Sequence, residues 1–196
     1  NFDWAWIYRH YRGLEEWAER FAGWQAPHPA ISLWPGPGPT GFRETAGAGL
    51  VGLRQEAAPL PEGSVLVSFG RWGLAGLAEI LPEIEGVTWI TDDPAALARP
   101  DAMWAPEATY PALVAGSAAV LTKPGYGIVA ECLLAGTRLA WIPRGRFPES
   151  PSLESVLTDR GDPPVDVGDS SPPALRRGIE RAVRRAVIAD PPAREH

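Results

Sequence analysis

The strongest constraint in this chain is an alternation. From residue 64 onward, short apolar runs rich in β-branched residues take turns with segments of helical spacing. "SVLVSFG" (64 to 70), "VTWITDD" (87 to 93), "DAMWAP" (101 to 106), "AAVLTKP" (118 to 124) and "RLAWIPRG" (138 to 145) predict strands, with "PPVDVGD" (163 to 169) as a short last one. Between them, "GLAGLAEIL" (73 to 81), "TYPALVAGS" (109 to 117), "GIVAECLLAG" (127 to 136) and "SPSLESVLTDRG" (150 to 161) predict helices, and "PALRRGIERAVRRAVIAD" (173 to 190) predicts a closing helix. Runs apolar on both faces and joined through helices imply a parallel sheet covered on both sides. The expected fold class is therefore α/β, an open doubly wound parallel sheet.

The first third of the chain reads differently. Residues 3 to 24 carry Trp4, Ile7, Tyr8, Tyr11, Leu14, Trp17 and Phe21 at three- and four-residue spacings, which predicts one or two helices with Gly13 as a break. The Pro- and Gly-rich stretch that follows leaves room for one short strand at residues 30 to 34. Residues 35 to 61 read as a crossing between two structural units.

Composition narrows the function classes. The 196 residues carry a formal net charge of -6, a balance that argues against a surface built to neutralise nucleic-acid phosphates. The single cysteine, Cys132, excludes an intramolecular disulfide and a Cys-rich zinc site, and reads as a small buried apolar residue. A reducing, cytoplasmic setting is expected. No apolar run approaches the roughly 20 residues that span a bilayer, and the opening residues do not read as a signal peptide. The arginines of "ALRRGIERAVRRAV" read first as a solvated helix face and second as a membrane-proximal patch.

"LTKPGYGIVAEC" (121 to 132) concentrates the chemistry and holds the only lysine of the chain, Lys123. Its predicted strand ends at a Gly-Tyr-Gly turn, and a helix follows at once. Unpaired amides and the positive end of the helix dipole then face the crevice at the carboxyl edge of the sheet, a ready anion site. Gly125 and Gly127 let the backbone approach a phosphate, Lys123 adds charge, and Glu131, one turn into the helix, can accept from the vicinal hydroxyls of a ribose. Phosphate and ribose together describe a nucleotide. The plainer alternative is that such turns occur in any α/β protein and that the dipole alone favours an early Glu.

The segment "VLTKPGYGIVAECLLAGTRLAWIPRGRFPES" resembles the donor-binding part of the two-Rossmann-domain (GT-B) glycosyltransferases, especially a bacterial glycosyltransferase-like group also found as the amino-terminal part of L-arabinokinases. The matching residues are Lys123, Gly125, Tyr126, Gly127, Glu131, Arg144 or Arg146, and Phe147. "NFDWAWIY" resembles a second segment of that group, with Asp3 and Ala5 as departures, and "VLVSFGRWGL" resembles the start of its second Rossmann domain, with bulky Arg71 and Trp72 where relatives carry more glycine.

The resemblance implies the C-terminal half of a GT-B fold with a partial N-terminal segment. Residues 1 to 55 would be the end of the acceptor-side domain and the connection, residues 62 to 169 the donor-binding domain, and residues 173 to 190 a helix returning toward the N-terminal segment. It implies a nucleotide-diphosphate sugar as co-substrate, without a metal or other cofactor. Lys123, Gly125, Tyr126, Gly127, Arg144 and Arg146 would be at the diphosphate, Glu131 at the ribose, and Trp104, Ala105 and Pro106 at the base. Transfer of a hexosyl group to an unknown acceptor would need the missing N-terminal half, so this portion alone is expected to be inactive.

No residue is read as catalytic. His10 reads as a packing or surface residue, and His28 and His196 are weaker candidates still. The alternative reading is a non-catalytic nucleotide- or partner-binding module that retains the fold. An epimerase of the same fold is a third, but its chemistry calls for carboxylates and histidines in the cleft, and the sequence reading finds none to place there.

Overall fold

The computed structural model describes residues 3–36, 38, 40–70 and 76–188. The expected readings at Arg71, Trp72, Gly73 and His196, and at the first two residues of "NFDWAWIY", lie outside the described residues.

Five parallel strands form the main sheet: β3 (Ser64–Ser68), β4 (Thr88–Ile90), β5 (Ala102–Met103), β6 (Ala119–Thr122) and β7 (Arg138–Trp141), in the order β5-β4-β3-β6-β7. Each predicted strand from residue 64 to 145 is present, shortened to the residues that pair. The last predicted strand is reduced to one bridge, Trp141 to Pro164. Prolines 163 and 164 cannot donate to a ladder, which accounts for its brevity.

Side-chain alternation sorts the core into two layers. Val65 and Val67, Ala119 and Leu121, and Ala140 and Ile142 point to one face. There they meet α3 (Leu77–Ile80) and the closing helix α7 (Pro172–Ile188), through Leu77, Ile80, Ile179, Ala182 and Val183. Leu66, Val120, Leu139 and Trp141 point to the other. These pack on α4 (Tyr110–Gly116), α5 (Tyr126–Ala135) and α6 (Ser150–Asp159), through Leu113, Val129, Leu133 and Leu153. A period of two in strands buried on both sides produces this division. Over its described length, α7 lies on β6, β7 and α3.

The N-terminal residues form a separate small unit. Helices α1 (Trp4–Arg9) and α2 (Glu15–Gln25) pack on each other, with the chain turning at Gly13 at a φ of 85°. Strands β1 (Pro29–Leu33) and β2 (Glu44–Ala48) pair in parallel. The second of these strands was not expected, because "ETAGA" has neither an apolar run nor an alternation. A two-stranded sheet is marginal alone, and Ile31 at its centre is 67% exposed. Asp3 organises this unit. Its carboxylate accepts from the Trp6 amide, the Gln25 side chain, and both the amide and hydroxyl of Thr40, while the buried Gln25 accepts from the Ala5 amide.

The connection from residue 49 to 60 is pinned to the main domain. Ala58 donates to the Ala112 carbonyl at 2.9 Å, and the Thr109 hydroxyl bonds the Gln55 side chain.

Candidate nucleotide-sugar cleft

The sheet order sets where a ligand can lie. The chain runs outward from β3 through β4 to β5, then returns to the other side of β3 for β6 and β7. The carboxyl ends of β3 and β6 therefore flank the switch point of the sheet, where open α/β sheets bind ligands.

The Gly-Tyr-Gly turn stands at that edge. Gly125 is the extended cap residue before α5, and no side chain caps the helix. The first intrahelical bond runs from Val129 to the Gly125 carbonyl, which leaves the preceding amides free for a ligand. Arg144, from the loop after β7, closes on this turn. Its guanidinium donates to the Pro124 carbonyl at 3.2 Å and stacks 3.9 Å from the centre of the Phe147 ring. A Cβ built on Gly125 would lie 3.6 Å from that guanidinium, whereas one built on Gly127 would meet nothing within 4 Å. The protein's own packing does not require glycine at 127.

These residues line one wall of a cleft of about 560 Å³, within the range of small-molecule sites. Gly125, Tyr126, Gly127, Arg144, Phe147 and Glu149 form that wall, and Asp3, Trp6, Ile7, Ile31, Ser32, Leu33 and Gly38 face them. Burial pushes the Glu149 carboxyl above the usual glutamate range, opposed by the charge of Arg144.

The remaining expected residues fall in different places. Lys123 is exposed and projects toward the end of β3, with its ammonium 6.0 Å from the Phe69 ring centre; it does not line the cleft. Arg146 is exposed and also outside the lining. Tyr126 contributes its position in the turn, while its hydroxyl reaches back to the N-terminal unit, accepting from the Val51 amide and donating to the Trp34 carbonyl. Glu131 lies on α5 beneath the connection, where a Cβ on Gly52 would be 3.8 Å from its Cγ. Its Oε2 atom is buried without a hydrogen-bond partner, and burial raises its pKa. Trp104 and Ala105 follow β5 and pack, half-buried, on the core layer shared with α5, and Pro106 is exposed.

Sequence reasoning missed the Ser68–Tyr110 pair and Glu149. The Tyr110 hydroxyl bonds that of Ser68, and burial, with smaller contributions from Cys132 and Glu131, pushes the phenol pKa up to about 12. The signal for Glu149 was available, as a carboxylate closing the loop after β7. The facing wall had no local signal at all. Among the described residues, no group of three or more His, Cys, Asp and Glu side chains is placed to hold a metal ion, and no helix is long and apolar enough to cross a membrane.

Comparison with solved structures places this architecture. A substituted form of Os79 from O. sativa in complex with UDP is 16% identical, with a TM-score of 0.52, covering 76% of this chain and 42% of that one. The spinosyn forosaminyltransferase SpnP is 15% identical, with a TM-score of 0.50, covering 74% and 43%. The glycotransferase of kitacinnamycin is 17% identical, with a TM-score of 0.50, covering 70% and 43%. No protein-family model matches the chain, and no curated protein matches it. The fold is that of one Rossmann-like half of a GT-B glycosyltransferase. The chain spans less than half the length of these structures.

Proposed function

We propose that this chain is the nucleotide-diphosphate-sugar binding portion of a glycosyltransferase that moves a hexosyl group to an acceptor, working with an N-terminal half that completes the fold. One observation carries the reading: an uncapped helix start, two glycines and a stacked arginine converge on one wall of a cleft at the switch point of the sheet. Amides from Gly125 to Gly127 and the Arg144 guanidinium would take the diphosphate, with Lys123 and Arg146 adding charge from outside the lining. Glu131 would take the ribose hydroxyls, which would supply the partner its buried Oε2 lacks. Trp104, Ala105 and Pro106 would flank the base, and Glu149 offers oxygens to hydroxyls of the transferred sugar.

The chemistry follows from this placement. As the bond from sugar to phosphate breaks, negative charge grows on the departing diphosphate, and fixed amide dipoles with a held guanidinium stabilise it without reorganising. The need for a second half is supported by the N-terminal unit. Of the twelve exposed large hydrophobic side chains among the described residues, eight lie between residues 3 and 53; Ile31 lines the cleft, while Trp4, Trp17 and Trp24 lie outside it. A surface so apolar marks an interaction face. Titration with UDP and GDP, and sugar-transfer assays with and without the completing half, test the proposal: binding by this chain and turnover only in the completed protein support it.

A further inference from the structure

The wall that faces the diphosphate turn differs in chemistry from the turn itself. Trp6, Ile7, Ile31 and Leu33 project from α1 and β1 into the cleft, and Phe147 continues the apolar surface across it. The one charged side chain on this wall, Asp3, has no capacity to spare. Its Oδ1 takes the Trp6 amide and Gln25, and its Oδ2 takes the amide and hydroxyl of Thr40. Partial burial pushes that carboxyl up, but the bonds from Gln25, Trp6 and Thr40 outweigh it and hold it below the usual aspartate range. Asp3 therefore braces the wall instead of contacting a ligand. That leaves the Ser32 hydroxyl and the Trp6 indole N–H as the wall's remaining polar side-chain groups.

A saccharide or peptide seated here would strand its own hydroxyls or amides against apolar side chains, at a cost in desolvation. A flat ring system would cover Ile31 and stack near Trp6 while presenting one polar group toward Glu149 and Arg144. We infer that the acceptor of this cleft is a small apolar, ring-bearing molecule carrying a hydroxyl, and that Trp6, Ile7, Ile31 and Leu33 select it. This rests on the donor reading above, because the wall selects an acceptor only if the opposite wall holds a donor.

Calorimetric titration of the 196-residue chain, with and without saturating UDP, tests the inference. The probes are 4-methylumbelliferone, a flat hydroxylated ring system, and cellobiose. The phenol binds saturably and cellobiose does not. Ile31→Thr, at a mostly exposed strand position where the fold tolerates it, weakens phenol binding about five-fold or more, and Trp6→Ser at least as much. Trp24→Ser, which removes an exposed aromatic outside the cleft, leaves it unchanged, and so excludes adhesion to exposed rings. Equal binding of cellobiose, failure of the phenol to bind, or indifference to Ile31→Thr overturns the inference. The UDP titration separates the two claims: UDP binding without phenol binding removes this inference alone, and phenol binding without UDP binding removes the donor reading and the acceptor role with it, leaving an apolar ring site.

Discussion

The hydroxyl of Tyr126 donates to the main-chain carbonyl of Trp34 across 3.3 Å, joining residues 92 apart in sequence. The same oxygen accepts the Val51 amide at 3.2 Å. Tyr126 thus ties the segments that follow β1 and β2, at the carboxyl edge of that parallel pair, to the turn between the two glycines. Tyr126→Phe keeps the ring and removes both bonds. The expected loss is about 0.5–1.5 kcal/mol for each bond in the part of the chain it holds, and hydrogen exchange at the Val51 amide should accelerate selectively. Unchanged exchange at Val51 would show that the tie does not hold the unit.

Gly127→Ala separates packing from ligand contact. With nothing within 4 Å of the added Cβ, and with alanine the better helix former by about 1 kcal/mol, thermal stability should hold or rise. UDP affinity should fall, because the backbone loses its close approach to phosphate. A drop in melting temperature would mean that the glycine serves the fold.

Glu131 gives a pH signature. Its folded-state pKa is raised by burial, so the folded chain holds that proton more tightly than the unfolded chain. The resulting stability is fully present below the ordinary glutamate pKa and is lost as pH rises through the folded value. Glu131→Gln should therefore raise the melting temperature at pH 7, with the gain vanishing below about pH 4, and should weaken nucleotide binding. Melting curves across this range check the sign, and a gain that persists at low pH would point to packing instead.

Asp162 is a purely structural counterpart. Its fully buried carboxylate meets Arg160 at 2.7 Å and Arg138 at 3.6 Å, and accepts from the Leu139 amide. Asp162→Ala leaves two mostly buried cations short of their counter-ion, for an expected cost of about 3–5 kcal/mol by chemical denaturation, without a specific effect on UDP affinity in the fraction that folds.

The parallel sheet was legible because strands buried on both faces must be apolar throughout, as "SVLVS" and "AVLT" are. The glycine turn was legible for a local reason, since the strand end, the glycines and the helix start are contiguous. What was not legible is non-local. Strand β2 is exposed at four of its five positions, so no pattern marks it. Lys123 points from the strand end toward Phe69, and Arg144, arriving from another strand, is the cation that closes on the turn, a division of positions that no contiguous stretch displays. The apolar wall is assembled from α1 and β1, more than 90 residues before the turn it faces, through the bonds of Asp3 to Gln25 and Thr40.

Diphosphate binding at Arg144 and the glycine turn is the central prediction. Calorimetric titration of the wild-type chain and of Arg144→Ala with UDP, GDP and UMP measures it. The predicted result is saturable one-to-one binding of a nucleoside diphosphate, weaker binding of the monophosphate, and a loss of about ten-fold or more on Arg144→Ala, as expected for one charge-assisted hydrogen bond. No saturable binding of either diphosphate at millimolar concentration, or equal affinity in Arg144→Ala, would contradict it.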